Sequence, residues 1–326
     1  MRETTLIGSS NAMAHLLERV RLCSSIRRPI IVAGERGSGK ELIAERLHYL
    51  SPRWDKPYIA LNCATLAENL LEAELFGYER GAFTGATQRT LGRFERAHEG
   101  SLFLDEIATM SPRVQEKCLR VLEYGQLERL GGATPVEVDV RIIAATNESL
   151  PELVADGRFR ADLLDRLSFD VLAVPPLRQR GNDILELANH FALAMCRELN
   201  RDWFPGFSAR AEQILLEYSW PGNVRELKNA VERSLARSEV DEPIDQIILN
   251  PFTTRPAENS TEVSSAPPAI RYPQSLTRLS QAYERTLLEQ ALQYHRYRLN
   301  QTAEALELSY HQLRRLVTKH NLKQDQ

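Results

Sequence analysis

One stretch constrains the fold of this chain more than any other: Gly34-Glu35-Arg36-Gly37-Ser38-Gly39-Lys40-Glu41. The apolar run at 29–33 before it reads as a buried strand, and residues 42–47 after it have the apolar spacing of a helix. A glycine-rich turn between a strand and a helix start points several backbone N–H groups at one spot, and the helix dipole adds positive potential there. Such a turn can hold a phosphate chain, with Lys40 reaching the outer phosphates as a point charge. Glu41 departs from the usual pattern, because a Ser or Thr normally stands there and offers its hydroxyl to magnesium.

A second motif strengthens the first. Ser101-Leu102-Phe103-Leu104 suits a buried strand and ends abruptly in Asp105-Glu106. At a strand's carboxyl end beside a phosphate loop, Asp105 is placed to hold magnesium, directly or through water, and Glu106 to polarise an attacking water. The bland alternative is a pair of surface acids after a core strand. Together the two motifs point to nucleotide hydrolysis. Further apolar runs at 58–61, ending at Asn62, and at 142–145, ending at Thr146-Asn147, alternate with helical segments. That alternation predicts an α/β fold with a parallel sheet and its ligands at the strands' carboxyl ends.

The remaining segments fall into place around this core. Residues 10–22 predict a helix capped by Ser9 or Ser10, with no room before it for a sensory domain. Ser111-Pro112 opens a helix that runs to Tyr124, and Val136, Val138 and Val140 alternate like a half-exposed strand. Gly81-Ala82-Phe83-Thr84-Gly85-Ala86 is a poor core segment; it reads as a flexible loop with an exposed Phe-Thr tip, a contact surface for something unspecified. Arg160 and Arg166 stand six apart, either as a charged helix face or as arginine fingers for a neighbouring subunit's phosphates. After a strand at 169–174, residues 183–199, 208–218 and 224–237 are helical and form a small all-α region.

Residues 253–275 hold four Pro, four Ser and three Thr, the composition of a tether. Beyond it the chain turns helical again: a first helix with Leu279, Tyr283, Leu287, Leu288 and Ala291, a short second over 300–308 and a third over 310–320. A short helix, a turn at Ser309 and a basic helix suit a helix-turn-helix, with a helical oligomerisation tail as the alternative. From Tyr310 to Lys323 there are four Lys/Arg and no acid, a local basic patch that the formal net charge of −3 conceals. The four cysteines lack metal-ligand spacing and read as reduced, mostly buried thiols. No stretch approaches the ~18 apolar residues of a membrane helix, so a soluble, cytoplasmic protein without membrane insertion is expected.

With these residues in view, the chain resembles the sigma-54-dependent transcriptional activators, the bacterial enhancer-binding proteins of the AAA+ class. The 34–41 stretch looks like their phosphate loop, 81–86 like their GAFTGA loop and 102–106 like their Walker B motif. Pro175-Pro176-Leu177-Arg178, Trp220-Pro221-Gly222-Asn223 and Arg225-Glu226-Leu227 also match family landmarks, and Glu41 agrees with the family's usual residue. The resemblance implies an AAA+ P-loop NTPase core with a parallel sheet and helical lid subdomain, plus a small all-α helix-turn-helix domain. The boundaries are 1–172 for the α/β subdomain, 173–250 for the lid, 251–275 for a flexible linker and 276–326 for a Fis-type DNA-binding domain.

The resemblance also implies roles. Gly34, Glu35, Arg36, Gly37, Ser38, Gly39, Lys40 and Glu41 bind ATP, Asp105 serves Mg2+, Glu106 activates water and Asn62 restrains that Glu. Asn147 stands at the sensor I position, Arg225 at sensor II, and Arg160 and Arg166 in the arginine-finger segment. Gly81, Ala82, Phe83, Thr84, Gly85 and Ala86 contact sigma-54 in the RNA polymerase holoenzyme. Tyr310, His311, Gln312, Arg314, Arg315 and Lys319 face upstream enhancer DNA. Trp54 resembles the docking point of a repressor acting in trans, and the assembly is a homo-oligomer, a hexameric ring. Two other classes stay open on the residues alone: an AAA+ remodeller of another client, and a DNA-binding regulator that only senses ATP.

Overall fold

Parallel strand pairing organises the larger part of the molecule. In the computed structural model, β1 (Ile30–Ala33), β2 (Tyr58–Asn62), β5 (Ser101–Asp105), β8 (Arg141–Thr146) and β9 (Asp170–Ala173) form one sheet in the order β2-β5-β8-β1-β9, every pair parallel. The structure describes residues 6–251, 284–292, 295, 298–306 and 308–320. Of the linker expected over 251–275, residues 252–275 lie outside the described residues, as do Leu279, Tyr283 and Lys323. The chain divides into two compact units, residues 1–254 and 255–326.

The strands read as near-continuous apolar runs because both sheet faces are covered. Ile31, Leu102, Leu104, Ile142 and Ala144 point into one core, and Ile30, Val32, Phe103, Ile143 and Ala145 into the other. On the first face pack α3 (Glu68–Phe76), α4 (Arg93–Arg96), α5 (Pro112–Tyr124), α6 (Leu150–Ala155) and α7 (Ala161–Leu167). On the second lie α1 (Asn11–Ser24) and α2 (Lys40–Tyr49). Local chemistry sets the helix ends: Ser10 and Ser111 accept from the third N–H of α1 and α5, and Gly125 closes α5 in the left-handed region at φ +66°. Arg141, buried at the start of β8, donates to the carbonyls of Cys23, Ser24 and Leu47, which end α1 and α2. Burial, then the nearby Arg53 charge, lowers its pKa to about 10.

Two small antiparallel pairs stand outside the sheet, β3 (Gly77–Tyr78) with β4 (Thr90–Leu91), and β6 (Gln126–Glu128) with β7 (Pro135–Glu137). The alternating strand expected through Val140 therefore stops at Glu137. Beyond it the backbone partners are loops: Val138 N–H donates to Gly125 O and Glu99 N–H to Asp139 O, while Val138 is buried in the core. Val136 lies in the β6–β7 ladder, whereas the alternation at Val138 and Val140 reflects core packing.

After β9, helices α8 (Asp183–Glu198), α9 (Ala209–Glu217) and α10 (Asn223–Arg237) build the all-α region around Trp220, whose indole N–H donates to Leu215 O at 2.8 Å. In the second unit, α11 (284–292), α12 (Leu299–Ala305) and α13 (Tyr310–Lys319) share a small core of Leu288, Leu292, Ala303 and Leu313. All four cysteines are free and buried. Among the described residues, no helix is long and apolar enough to cross a membrane.

Phe103 sits mid-sheet, 2% exposed, stacked on Tyr58. Phe103→Ala is expected to remove about 3–5 kcal/mol of stability, seen as a lower urea midpoint at unchanged slope. An unchanged midpoint contradicts this account of the core.

Candidate active site

Parallel register brings the polar residues of four strands to one edge. Ala33 pairs with Thr146 across β1 and β8, and Asn62 with Asp105 across β2 and β5, so the residues that follow these strands emerge side by side. The phosphate loop leaves β1 there, and Gly34 N–H donates to Thr146 O at 3.1 Å. Gly39, at φ +100°, caps α2 in a conformation that favours glycine. Lys40 opens the helix, buried, with Nζ donating to Gly34 O at 2.9 Å and Glu35 O at 3.1 Å. Burial pushes its pKa down, opposed by the charges of Asp105 and Glu106.

Asp105 is held from two sides. Its Oδ2 accepts from Asn62 Nδ2 at 3.0 Å and its Oδ1 from Glu106 N–H at 3.0 Å. In this structure the Asn62 side chain bonds to the aspartate and not to Glu106. The Glu106 carboxylate faces Arg36 at 3.7 Å instead, and its backbone sits at φ +52°, a left-handed conformation uncommon for a residue with a side chain. Asn147 follows Thr146 at the same edge, half-buried. Arg160 and Arg166 do not line the cavity described below. Arg160 caps α7 and pairs with Asp162 at 2.7 Å; Arg166 pairs with Glu123 at 3.1 Å.

A cavity of about 710 Å3 opens beside the loop, lined by Gly37 to Ile43, Asp105 and, from the all-α region, Arg225. Its walls also carry apolar Leu6, Ile7, Leu187, Phe191 and Met195, together with His190, Glu198, Lys228 and Glu232. The loop amides and Lys40 fit a nucleotide's phosphates, and the apolar side chains of the same cavity fit its base. For magnesium, Asp105 is the one carboxylate of the Asp105-Glu106 pair on the wall, and the described residues contain no cluster of three ligands. A metal there would rely on the phosphates and water for the rest of its shell.

Several residues at the site were not singled out from the sequence. Asn223 is buried, with Nδ2 donating to Glu35 Oε2 at 3.0 Å and Arg36 O at 3.1 Å while its Oδ1 accepts from Leu177 N–H. Arg180, also buried, donates to Ser38 O at 2.6 Å and Pro175 O at 2.9 Å. Asp183 accepts from Ser9 N–H, Ser10 N–H and the Ser10 hydroxyl, which ties the chain before α1 to the start of α8. The legible signal was a polar residue inside an otherwise apolar turn, Asn223 after Trp220-Pro221-Gly222; Arg180 and Asp183 carried none.

The remaining candidate residues lie elsewhere. The 81–86 loop is a closed turn: Gly81 N–H donates to Ala86 O at 2.8 Å and Ala86 N–H to Phe83 O at 3.0 Å. Ala82 is half-buried and Ala86 buried, while Gly81, Phe83, Thr84 and Gly85 are exposed, with the Phe83 ring edge-on to Tyr78 at 4.9 Å. Beneath it Gly131, at φ +71°, approaches so closely that a Cβ there would lie 2.9 Å from Ala82, and Arg129 pairs with Glu79 and Glu95. Trp54 is 64% exposed on the turn after α2. In the second unit Tyr310, His311, Gln312, Arg314, Arg315 and Lys319 are all exposed on α13. Gln312 Oε1 accepts from Ser309 N–H in a capping box, Lys319 pairs with Glu284, and the rings of Tyr310 and His311 meet edge-on at 5.9 Å.

Comparison with known proteins gives this arrangement its class. Residues 178–265 match the AAA+ ATPase lid domain family and residues 6–173 the Sigma-54 interaction domain family, so the larger unit is the nucleotide-hydrolysing domain of an AAA+ ATPase. The chain belongs to the sigma-54-dependent activators, which use ATP to activate transcription. It is 53% identical to the Psp operon transcriptional activator of Escherichia coli (strain K12), over 97% of this chain and 98% of that one. It is 42% identical to the anaerobic nitric oxide reductase transcription regulator NorR of Salmonella arizonae, over 99% of this chain but 64% of that longer one. Among solved structures, NtrX from Brucella abortus in complex with ATP is similar at a TM-score of 0.72 and 32% identity, covering 97% of this chain and 70% of that one. The same protein in complex with ADP gives a TM-score of 0.73.

Lys40 is the loop's only cationic side chain in the cavity wall. Lys40→Ala is expected to weaken binding of a fluorescent ADP by about tenfold or more, as loss of a charge-assisted contact predicts. Unchanged affinity contradicts the assignment of the phosphate site.

Proposed function

We propose that this chain couples ATP hydrolysis to remodelling of the sigma-54 RNA polymerase closed promoter complex, anchored at upstream enhancer DNA by its C-terminal unit. The observation that carries the reading is the convergence of the phosphate loop, Asp105 and Arg225 on one cavity, with Glu106 adjoining it. The relative named for the Psp operon supports activation of a phage shock, envelope stress operon, in the cytoplasm where RNA polymerase works.

The chemistry follows from these residues. The loop amides and Lys40 hold the phosphates, which requires Lys40 to leave the Gly34 and Glu35 carbonyls. Asp105, kept in place by Asn62, would hold Mg2+ directly or through water, and an ion there would supply positive charge to the phosphates. Glu106 orients and deprotonates the attacking water once Arg36 has turned from its carboxylate. Asn147 meets the nucleotide from the sheet and Arg225 from the lid.

Arg160 and Arg166, outside their own chain's cavity, act on a neighbour's phosphates in a hexameric ring. The exposed Phe83-Thr84 tip is the sigma-54 contact, and exposed Trp54 the docking point of a PspA-like repressor in trans. The working parts are the α/β subdomain 1–172, the lid 173–250, the linker 251–275 and the helix-turn-helix domain 276–326. In the last, the hollow lined by His311, Arg314, Arg315, Thr318 and Lys319 suits a DNA backbone.

Two experiments test this reading. Glu106→Gln is expected to bind nucleotide but hydrolyse it about a hundredfold or more slowly; undiminished turnover removes Glu106 as the base. Thr84→Ala is expected to keep ATPase activity yet fail to form open complexes at a sigma-54 promoter. Normal open-complex formation by that variant, or by the unsubstituted chain with a non-hydrolysable nucleotide, refutes the mechanism.

A further inference from the structure

Three consecutive carbonyls of the phosphate loop are held by the all-α lid region. Arg36 O accepts from Asn223 Nδ2 at 3.1 Å, Gly37 O from Val224 N–H at 3.0 Å and Ser38 O from the Arg180 guanidinium at 2.6 Å. Each peptide unit is planar, with its C=O and the next N–H on opposite sides. Fixing these three carbonyls therefore fixes where the N–H groups of Gly37, Ser38 and Gly39 point. Ser38 N–H also leans across the turn to Glu35 O, at a longer 3.3 Å. The fit leaves no slack, since a Cβ on Gly37 would lie 2.3 Å from Gly222 O.

The side chain of Glu35 adds a fourth tie. It accepts from both Arg178 nitrogens, at 2.6 and 2.9 Å, and from Asn223. These bonds, Arg178 first and Asn223 second, lower its pKa to about 2. A depressed carboxylate contributes stability that is present above the ordinary value of ~4.3 and is lost only as pH falls through the folded value. The tie persists from neutral pH down to about 4.

We infer that Arg180 and Asn223 are positioning residues for phosphate binding: the lid is the mould that aims the loop's amides, and moving the lid re-aims them. Asn223 does not line the cavity; Arg180 does, but its Nε and Nη2 are given to carbonyls. Each acts through loop carbonyls, and Asn223 also through the Glu35 carboxylate. Affinity for nucleotide and lid position are then reciprocally coupled, so a nucleotide that fits the amides holds the lid down and a displaced lid loosens the nucleotide. Arg180 acts through its fork as much as its charge, because Nε and Nη2 engage two different carbonyls, Pro175 and Ser38. Asn223 suits its place chemically: it sits at φ +53°, where Asn is better tolerated than most residues, and uses both ends of its amide. This inference rests on the reading of the 34–41 loop as the phosphate site.

The test uses the full chain with Arg180→Met, Arg180→Lys and Asn223→Asp, the last nearly isosteric but lacking the donor. Dissociation of fluorescent ADP and the KM for ATP are expected to rise about tenfold or more in each, with kcat at saturating ATP falling by less than the rise in KM. Lysine is not expected to rescue. ADP affinity within about twofold of the unsubstituted chain in the folded variants, or full rescue by lysine, overturns the inference. One readout needs no substitution: exchange of the Val224 amide must slow when ADP binds the unsubstituted chain, and exchange unaffected by ADP also overturns it. If Lys40→Ala binds ADP normally, the underlying phosphate-site reading fails; if only Lys40→Ala loses ADP, the lid's role alone fails.

Discussion

The molecule depends on strands that all run the same way and finish level. With β1 flanked by β8 and β9, and β5 between β8 and β2, the sheet delivers the phosphate loop, Asn147, Asp105 and Asn62 to a single edge in that spatial order. No one of these residues is close to the others in sequence. Their meeting is a property of register, and register is enforced by apolar side chains that alternate between two buried cores. A slip by one residue would turn every core side chain of a strand to the wrong layer and shift its functional end out of line.

Charge is distributed around that edge with unequal security. Arg141 and Arg180 are buried cations whose side-chain hydrogen bonds go to backbone carbonyls, at helix ends in one case and at the phosphate loop and Pro175 in the other. They are fixed parts of the frame, since an unpaired buried guanidinium would be costly. Arg36, Arg160 and Arg166 are exposed or half-exposed and held by one carboxylate each. Exposed pairs of this kind contribute little stability and exchange readily. The frame charges stay; the working charges are free to change partner.

Much of this was legible in the sequence because the motifs are local. A glycine-rich turn between strand and helix, a strand ending in two acids, and Ser-Pro at a helix start each state their structure within a few residues. Less legible were features that need the third dimension. Nothing local says that Asn62 meets Asp105 while Glu106 meets Arg36, or that Arg180 and Asp183 clamp the lid region to the loop and to the start of α1. The valines at 138 and 140 misled because the packing of loop residues can mimic a strand's period. The capping box of Ser309 and Gln312, by contrast, was written plainly as a Ser with Gln three residues on. It gives Gln312 a part in starting its own helix.

The hydrogen-bonded turn at 81–86 has a mechanical meaning. A segment already folded back on itself, with Gly81 bonded to Ala86 and stiffened from below by Gly131, behaves as a rigid bead rather than a limp tether. A bead transmits a push through its two-stranded stem without first using up the motion in taking out slack. Little chain entropy remains to be surrendered when it meets another surface. Displacement at its root therefore arrives at its tip almost undiminished.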